Sequence, residues 1–187
     1  AADTARANAG DTITVSLEAS EVIVSPLVSI AGQTGTVAGS GSVWNASYTV
    51  VSNQVVEGAS SLSITFEDLA SNPGVTRSAV TDSSAVTIDL TPPTLSAVSI
   101  VSSNEADSAH ANAGDTITLT IVASEALTLP TVSIAGNSAD TITGVGAETP
   151  GPSFTEYTAT YTVVASEVSE GVSSLSIAFA DSASNPG

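Results

Sequence analysis

Apolar and polar residues alternate with a period of two along much of this chain. Ile13, Val15, Leu17 and Ala19 point one way while Thr12, Thr14 and Ser16 point the other. The same pattern returns at Ile117, Leu119, Ile121 and Ala123 against Thr116, Thr118 and Thr120. Trp44, Ala46, Tyr48 and Val50 are answered later by Tyr157, Ala159, Tyr161 and Val163, and Leu62, Ile64 and Phe66 by Leu175, Ile177 and Phe179. Further strands are expected at 27–31, 85–90 and 95–101. Strict alternation is the signature of a strand with one buried face, because successive side chains leave a pleated backbone on opposite sides. Helical spacing is nowhere sustained, and Thr, Val and Ser dominate. The pattern predicts an all-β chain.

The strands come in two copies. Ala7–Thr14 recurs as Ala111–Thr118, an offset of 104 residues, and Ala19-Ser20-Glu21 and Val28–Gly32 recur at that offset. Beyond them, Tyr48–Val51, Ser60–Ile64 and Ala70–Gly74 recur at an offset of 113. The second copy therefore carries a nine-residue insertion, placed near 146–154 by the Gly- and Pro-rich run Gly146-Ala147-Glu148-Thr149-Pro150-Gly151-Pro152.

Several short strands in about 100 residues, each with one apolar and one Ser/Thr face, fit a two-sheet antiparallel sandwich. The expected strands are A at 95–101, B at 115–123, C at 131–135, E at 157–164, F at 174–180, and G at 85–90 of the first copy. Asp89-Leu90-Thr91-Pro92-Pro93-Thr94 would join one copy to the next as a short, semi-rigid hinge. This divides the chain into repeat 1 at 1–91, without a first strand, and repeat 2 at 92–187, without a last one. The expected assembly is an elongated rod of tandem sandwiches. Either the window is cut from a longer array, or neighbouring units supply the missing strands by β-augmentation.

Composition narrows the function. Among 187 residues, 19 are acidic and two basic, for a net charge of −17. Only Arg6 and Arg77 could neutralise phosphates, which argues against a nucleic-acid partner. The chain has no Cys, hence no disulfide framework, thiolate metal site or cysteine nucleophile. No apolar run approaches the roughly 18 residues of a membrane span, and no signal peptide is visible at the start. The 42% hydrophobic content is too high for a disordered acidic tail.

The linker Leu90–Ser96, then Ala113–Thr118, Ala123-Ser124-Glu125, Pro130–Gly136, Tyr157–Tyr161 and Phe179–Gly187, together resemble the bacterial-type Ig-like repeats of large surface proteins and adhesins. Similar modules occur in extracellular fibres of microbial eukaryotes. The resemblance covers essentially the whole chain. It implies an extracellular, cell-surface location, a Cys-free Ig-like sandwich, and calcium stiffening between domains.

Matched acids are the candidates for such a metal. Asp3, Asp11, Glu21, Glu57 and Asp68 are repeated as Asp107, Asp115, Glu125, Glu170 and Asp181, whereas Glu18, Glu67 and Asp140 have no counterpart. In an A-to-G sandwich the loop positions would bring Asp3, Asp11 and Asp89 towards Glu125 and Asp181. Hard oxygen donors from several loops suit Ca²⁺, which takes about 6–8 of them. Equally, Asp11 and Asp115 fit a turn-capping role after Gly, and Asp68 and Asp181 a turn-shaping role before Asn-Pro-Gly. Asn45-Ala46-Ser47 is the sole N-glycosylation sequon, and Asn45 should face outward if Trp44 and Tyr48 face inward. Dense Ser and Thr fit either a plain solvated face, O-glycans, or a flat hydroxyl surface for ice or glycan.

An enzyme is not expected. His110 is the single His and its counterpart is Arg6, so a Ser–His–Asp site has no repeated base. The matched acids map to loops rather than across a cleft, and Trp44 and Tyr157 are expected to fill the core. The expected role is a structural spacer or fibre building block, with adjacent repeats and self-assembly as its partners. The alternative is an adhesin segment binding glycan, ice or a cell-surface partner.

Overall fold

The computed structural model describes residues 5–146 and 153–187. Asp3 and most of the insertion at 146–154 lie outside the described residues. The described residues form strands and turns without a helix, so none is long and apolar enough to cross a membrane. The chain divides into two compact units, Ala1–Leu90 and Thr91–Gly187.

Unit 1 contains β1 (Arg6–Ala7), β2 (Thr12–Glu18), β3 (Leu27–Ile30), β4 (Gln33–Thr34), β5 (Thr36–Ser40), β6 (Val43–Thr49), β7 (Gly58–Ala59), β8 (Leu62–Thr65) and β9 (Thr87–Ile88). They form three sheets in the orders β2-β6-β5, β4-β3-β8 and β1-β9-β7. All ladders are antiparallel except the short β1–β9 pair. The inward members of the predicted alternation meet in one core: Ile13, Val28, Ile30, Ala46, Val50, Ile64 and Ile88. The last expected strand of this unit, 85–90, is regular only over β9. It pairs with β1 and β7 rather than with β8.

Unit 2 contains β10 (Leu95–Ser102), β11 (Thr116–Leu127), β12 (Thr131–Ile134), β13 (Asn137–Ser138), β14 (Thr141–Gly144), β15 (Phe154–Thr162) and β16 (Leu175–Ala178). Two antiparallel sheets, β10-β11-β15-β14 and β13-β12-β16, share a core built on Leu119, Ile121, Leu127, Val132, Ile134, Tyr157 and Ala159. The β11–β15 register, Leu119 opposite Ala159, repeats the β2–β6 register, Val15 opposite Ala46, at the two sequence offsets.

Aromatic placement departs in part from the expectation. Tyr157 is 1% exposed and fills the core. Trp44, in the matching position, is only half-buried and lies over Gly39, its cross-strand partner in the β5–β6 hairpin. Its indole Nε1 donates to the Gly41 carbonyl at 3.1 Å. A side chain at Gly39 would overlap the Val43 carbonyl and the Trp44 backbone. The cross-strand backbone leaves no space for a Cβ there, and Gly39 has φ of +148°.

The β3–β4 and β12–β13 hairpins turn on two residues each, Ala31-Gly32 and Ala135-Gly136. Ala31 has φ +54° and Gly32 +78°; Ala135 has +53° and Gly136 +82°. Positive φ at both central residues defines the I′ turn, whose twist matches that of the strands it joins. Alanine in left-handed backbone costs roughly 1 kcal/mol, which asparagine partly avoids. Ala31→Asn and Ala135→Asn are therefore expected to raise the stability of their own units by about 0.5–1 kcal/mol each, measured as denaturant midpoints. Unchanged or lowered midpoints would remove the strain from the account.

Candidate functional site

The Asp-x-x-x-Asn turn recurs in both units, after β8 in unit 1 and after β16 in unit 2. In unit 1, Asp68 Oδ1 accepts the backbone N–H groups of Ala70 and Asn72 at 2.8 and 2.9 Å, and Oδ2 accepts Asn72 Nδ2 at 2.7 Å. In unit 2, Asp181 Oδ1 accepts the Asn185 N–H at 2.8 Å and Oδ2 accepts Asn185 Nδ2 at 2.8 Å. Ser71 and Ser184 sit at positive φ, +62° and +71°, one residue before each asparagine. The local sequence thus shapes its own turn, as short polar side chains do.

What surrounds the two turns differs. Asp181 is 1% exposed and Asn185 7% exposed, whereas Asn72 is exposed and Asp68 half-buried. A bridge between Leu127 and Asp181 fastens the turn to the end of β11, and in unit 1 Asp68 bridges Ile23, beyond the end of β2. Glu125 lies two residues before Leu127 on β11, so this bridge brings its carboxylate beside that of Asp181. One oxygen of each lies within 4.8 Å of the other. Two carboxylates this close repel one another. Hard oxygen donors in such a pair fit a divalent cation of the calcium class.

Within their own units, the other acids named from sequence have these partners. Asp11 Oδ2 accepts the Asn8 N–H at 2.9 Å, and Asp115 Oδ2 accepts the Asn112 N–H at 2.7 Å, so both shape the turn leading into a strand. Asp89 belongs to unit 1, where its carboxylate meets Arg6 Nη1 at 3.1 Å. The Glu57 carboxylate accepts the Leu90 N–H at 2.6 Å. Asp3 lies outside the described residues. His110 Nδ1 meets Asp107 Oδ2 at 2.7 Å in an exposed loop. The Ala109 N–H, then His110, hold the Asp107 carboxyl below the usual range. Asn45 is exposed on β6, with its Oδ1 accepting the Ser16 hydroxyl at 2.9 Å, so its outward placement is as the alternation implied.

Sequence reasoning singled out Glu125 and Asp181 because each is repeated and because the expected sandwich placed both in loops at one pole. Their pairing follows from the β11 bridge, which no local pattern announces. One feature it missed is a groove of about 690 Å³ in unit 1, along β2 and floored by Leu62, Ile64 and Phe66 of the β8 segment.

Hydrogen bonds from Asn72, side chain first and backbone second, hold the Asp68 carboxyl below its ordinary 3.8. A folded-state value below the unfolded one means that the unfolded chain takes up the proton first as pH falls. The contribution is present above about pH 4 and disappears as pH drops through the folded value. Asp68→Asn is therefore expected to flatten the acid limb of the unit 1 unfolding midpoint below about pH 4. An acid limb identical to that of the parent chain would show that Asp68 is not a source of it.

No protein-family model matches the sequence, and no curated protein does either.

Proposed function

We propose that this chain is a structural building block of an extracellular surface protein or fibre, made of tandem Ig-like β-sandwich units. One observation carries the reading: the two units are built to one plan. They share strand sequence, ladder register, I′ turns with alanine at positive φ, and the Asp–Asn turn. A module repeated with its turns and registers intact points to a role for the frame itself. Repetition of this kind suits spacing or assembly, because each added unit extends the molecule without new chemistry.

Calcium belongs to the proposal through Glu125 and Asp181. These two residues would supply hard oxygens, and the cation would offset their repulsion in a chain of net charge −17. The exposed Asn45 side chain would carry a glycan if the protein passes through a glycosylating compartment.

Mechanical extension of the 187-residue chain tests the structural reading. Two separate unfolding events are expected, each releasing about 30 nm, the extended length of one unit. A glycan array and an ice-recrystallisation assay run beside it. Saturable retention of a glycan or inhibition of ice growth would replace the structural reading with that of an adhesin. Collapse of both units in one event at negligible force would also overturn it. Calcium is read in the same chain by titration calorimetry after chelation. Binding that disappears in both Glu125→Gln and Asp181→Asn is expected, while Asp89→Asn reports whether unit 1 contributes a ligand.

A further inference from the structure

Unit 1 closes its two ends on one another. Its first and last described strands, β1 and β9, lie side by side and run in the same direction, Arg6 opposite Thr87 and Ala7 opposite Ile88. Every other ladder among the described residues is antiparallel. The Thr87 N–H donates to the Ala5 carbonyl at 2.8 Å, and the Asp89 N–H donates to the Ala7 carbonyl at 3.0 Å. Arg6 reaches forward past its register partner to Asp89, with Nη1 3.1 Å from Oδ2. Ala7 and Ile88 are both buried in the unit 1 core. On its other side β9 is held by β7, where Ile88 stands opposite Gly58 and the Ser60 N–H donates to the Val86 carbonyl at 2.8 Å.

The direction of this pair decides how it meets tension. A chain drawn out by its ends pulls β1 towards its N-terminal end and β9 towards its C-terminal end. In a parallel pair these pulls oppose each other along one axis, so the ladder is loaded in shear and its bonds give way together. An antiparallel pair in the same place would be loaded at one end and would open bond by bond. Asp89 lies beyond Thr87 in the direction in which β9 would slide, so the Arg6–Asp89 contact lengthens from the first displacement. Residues 8–86 lie between the two strands in sequence. While the pair holds, tension crosses it instead of running through their backbone.

We infer that β1 and β9 form a force-bearing clamp, the element that sets how strongly unit 1 resists extension along the chain. Among the described residues β1 has β9 as its one neighbour and is the strand that slides, while β9 stays anchored through β7 and the core. Arg6 is a positioning residue that ties the sliding strand to Asp89 across the shear plane. In unit 2 the matching residues, His110 and Ala111, lie in no strand, which makes that unit the reference in series. The inference deepens the structural reading and rests on it for the source of the tension.

Single-molecule extension of the full chain from two attachment points tests the clamp. The chain has no Cys, so Ala5→Cys or Ala9→Cys, both at exposed positions, supplies a unique handle, with the second handle at Gly187. Force entering at residue 5 shears the pair. Force entering at residue 9 meets the other pull at the same end of the ladder and opens it from Asp89 towards Thr87. The unit 1 rupture force is expected to be roughly twofold higher from residue 5, because bonds that break together share the load. The unit 2 event should be the same from both points, and Leu119→Ala identifies it by lowering it alone. Thr87→Pro removes the donor to the Ala5 carbonyl and should bring the residue 5 force down towards the residue 9 value. Arg6→Gln should lower the residue 5 force while leaving the denaturant midpoint of unit 1 nearly in place, since an exposed ion pair contributes little at equilibrium. Equal unit 1 forces from the two attachment points would overturn the clamp, whether or not Thr87→Pro folds. An unchanged force in Arg6→Gln would remove Arg6 from it. Two separate unfolding events with equal forces would leave the structural reading standing without the clamp. A clamp that holds in a chain that also retains a glycan would stand while the structural reading falls.

Discussion

Replacing Leu119 by alanine is expected to destabilise unit 2 by about 3–5 kcal/mol, the range for emptying a fully buried leucine position. Leu119 is 0% exposed, stands opposite Ala159 on β15 and Ile100 on β10, and packs in the unit 2 core. Neither small Ala159 nor a pleated backbone can collapse into the vacated space, so the cavity persists. The matching change in unit 1, Val15→Ala, should cost only about 1 kcal/mol, because fewer methylenes are removed and the side chain is already partly exposed. The chromophores separate the two results. The single Trp44 and Tyr48 report on unit 1, while Tyr157 and Tyr161 report on unit 2. Leu119→Ala should move the tyrosine transition in denaturant to lower concentration and leave the tryptophan transition in place. Equal costs at the two positions would mean that Val15 is as well covered as Leu119.

Tyr157→Ala is expected to destabilise unit 2 by about 3–5 kcal/mol, and Tyr157→Phe by about 1–3 kcal/mol. The ring is 1% exposed and meets Phe154 edge-on, with centroids 5.7 Å apart. Its hydroxyl donates to the Leu127 carbonyl at 2.8 Å. Phenylalanine keeps the ring contacts and leaves that carbonyl without its donor, so the smaller loss isolates the hydrogen bond. Burial also pushes the Tyr157 hydroxyl above its ordinary value of 10. The unfolded chain then loses its proton near pH 10 while the folded one keeps it, so stability falls as pH rises beyond 10. Tyr157→Phe should weaken this alkaline fall in unit 2. A phenylalanine variant as stable as the parent would show that the Leu127 carbonyl finds another donor.

Leu127 joins the core to the candidate metal ligands. Its carbonyl takes the Tyr157 hydroxyl, and its backbone bridges to Asp181, whose carboxylate lies beside Glu125. If the proposed cation site at Glu125 and Asp181 binds calcium, a loosened Tyr157 should weaken that binding as well as stability.

Much of the frame was legible in the sequence because it is local. Period-two alternation at 13–19 and 117–123 follows from the pleat, and β2 and β11 lie there. Ala-Gly at a hairpin and Asp-x-x-x-Asn at a turn act through residues within a few positions of one another, and identical local sequences made identical turns in both units. Repetition itself required only comparison of the chain with itself. The tertiary structure decided what distant segments do to each other. Trp44 and Tyr157 occupy the same position in their strands, yet one covers a hairpin glycine and the other fills a core. Glu125 and Asp181 meet because a non-local bridge at Leu127 closes the chain between them. Val15 and Leu119 have the same alternation and different burial, because a strand's second neighbour is set by the sheet it joins and not by its own residues.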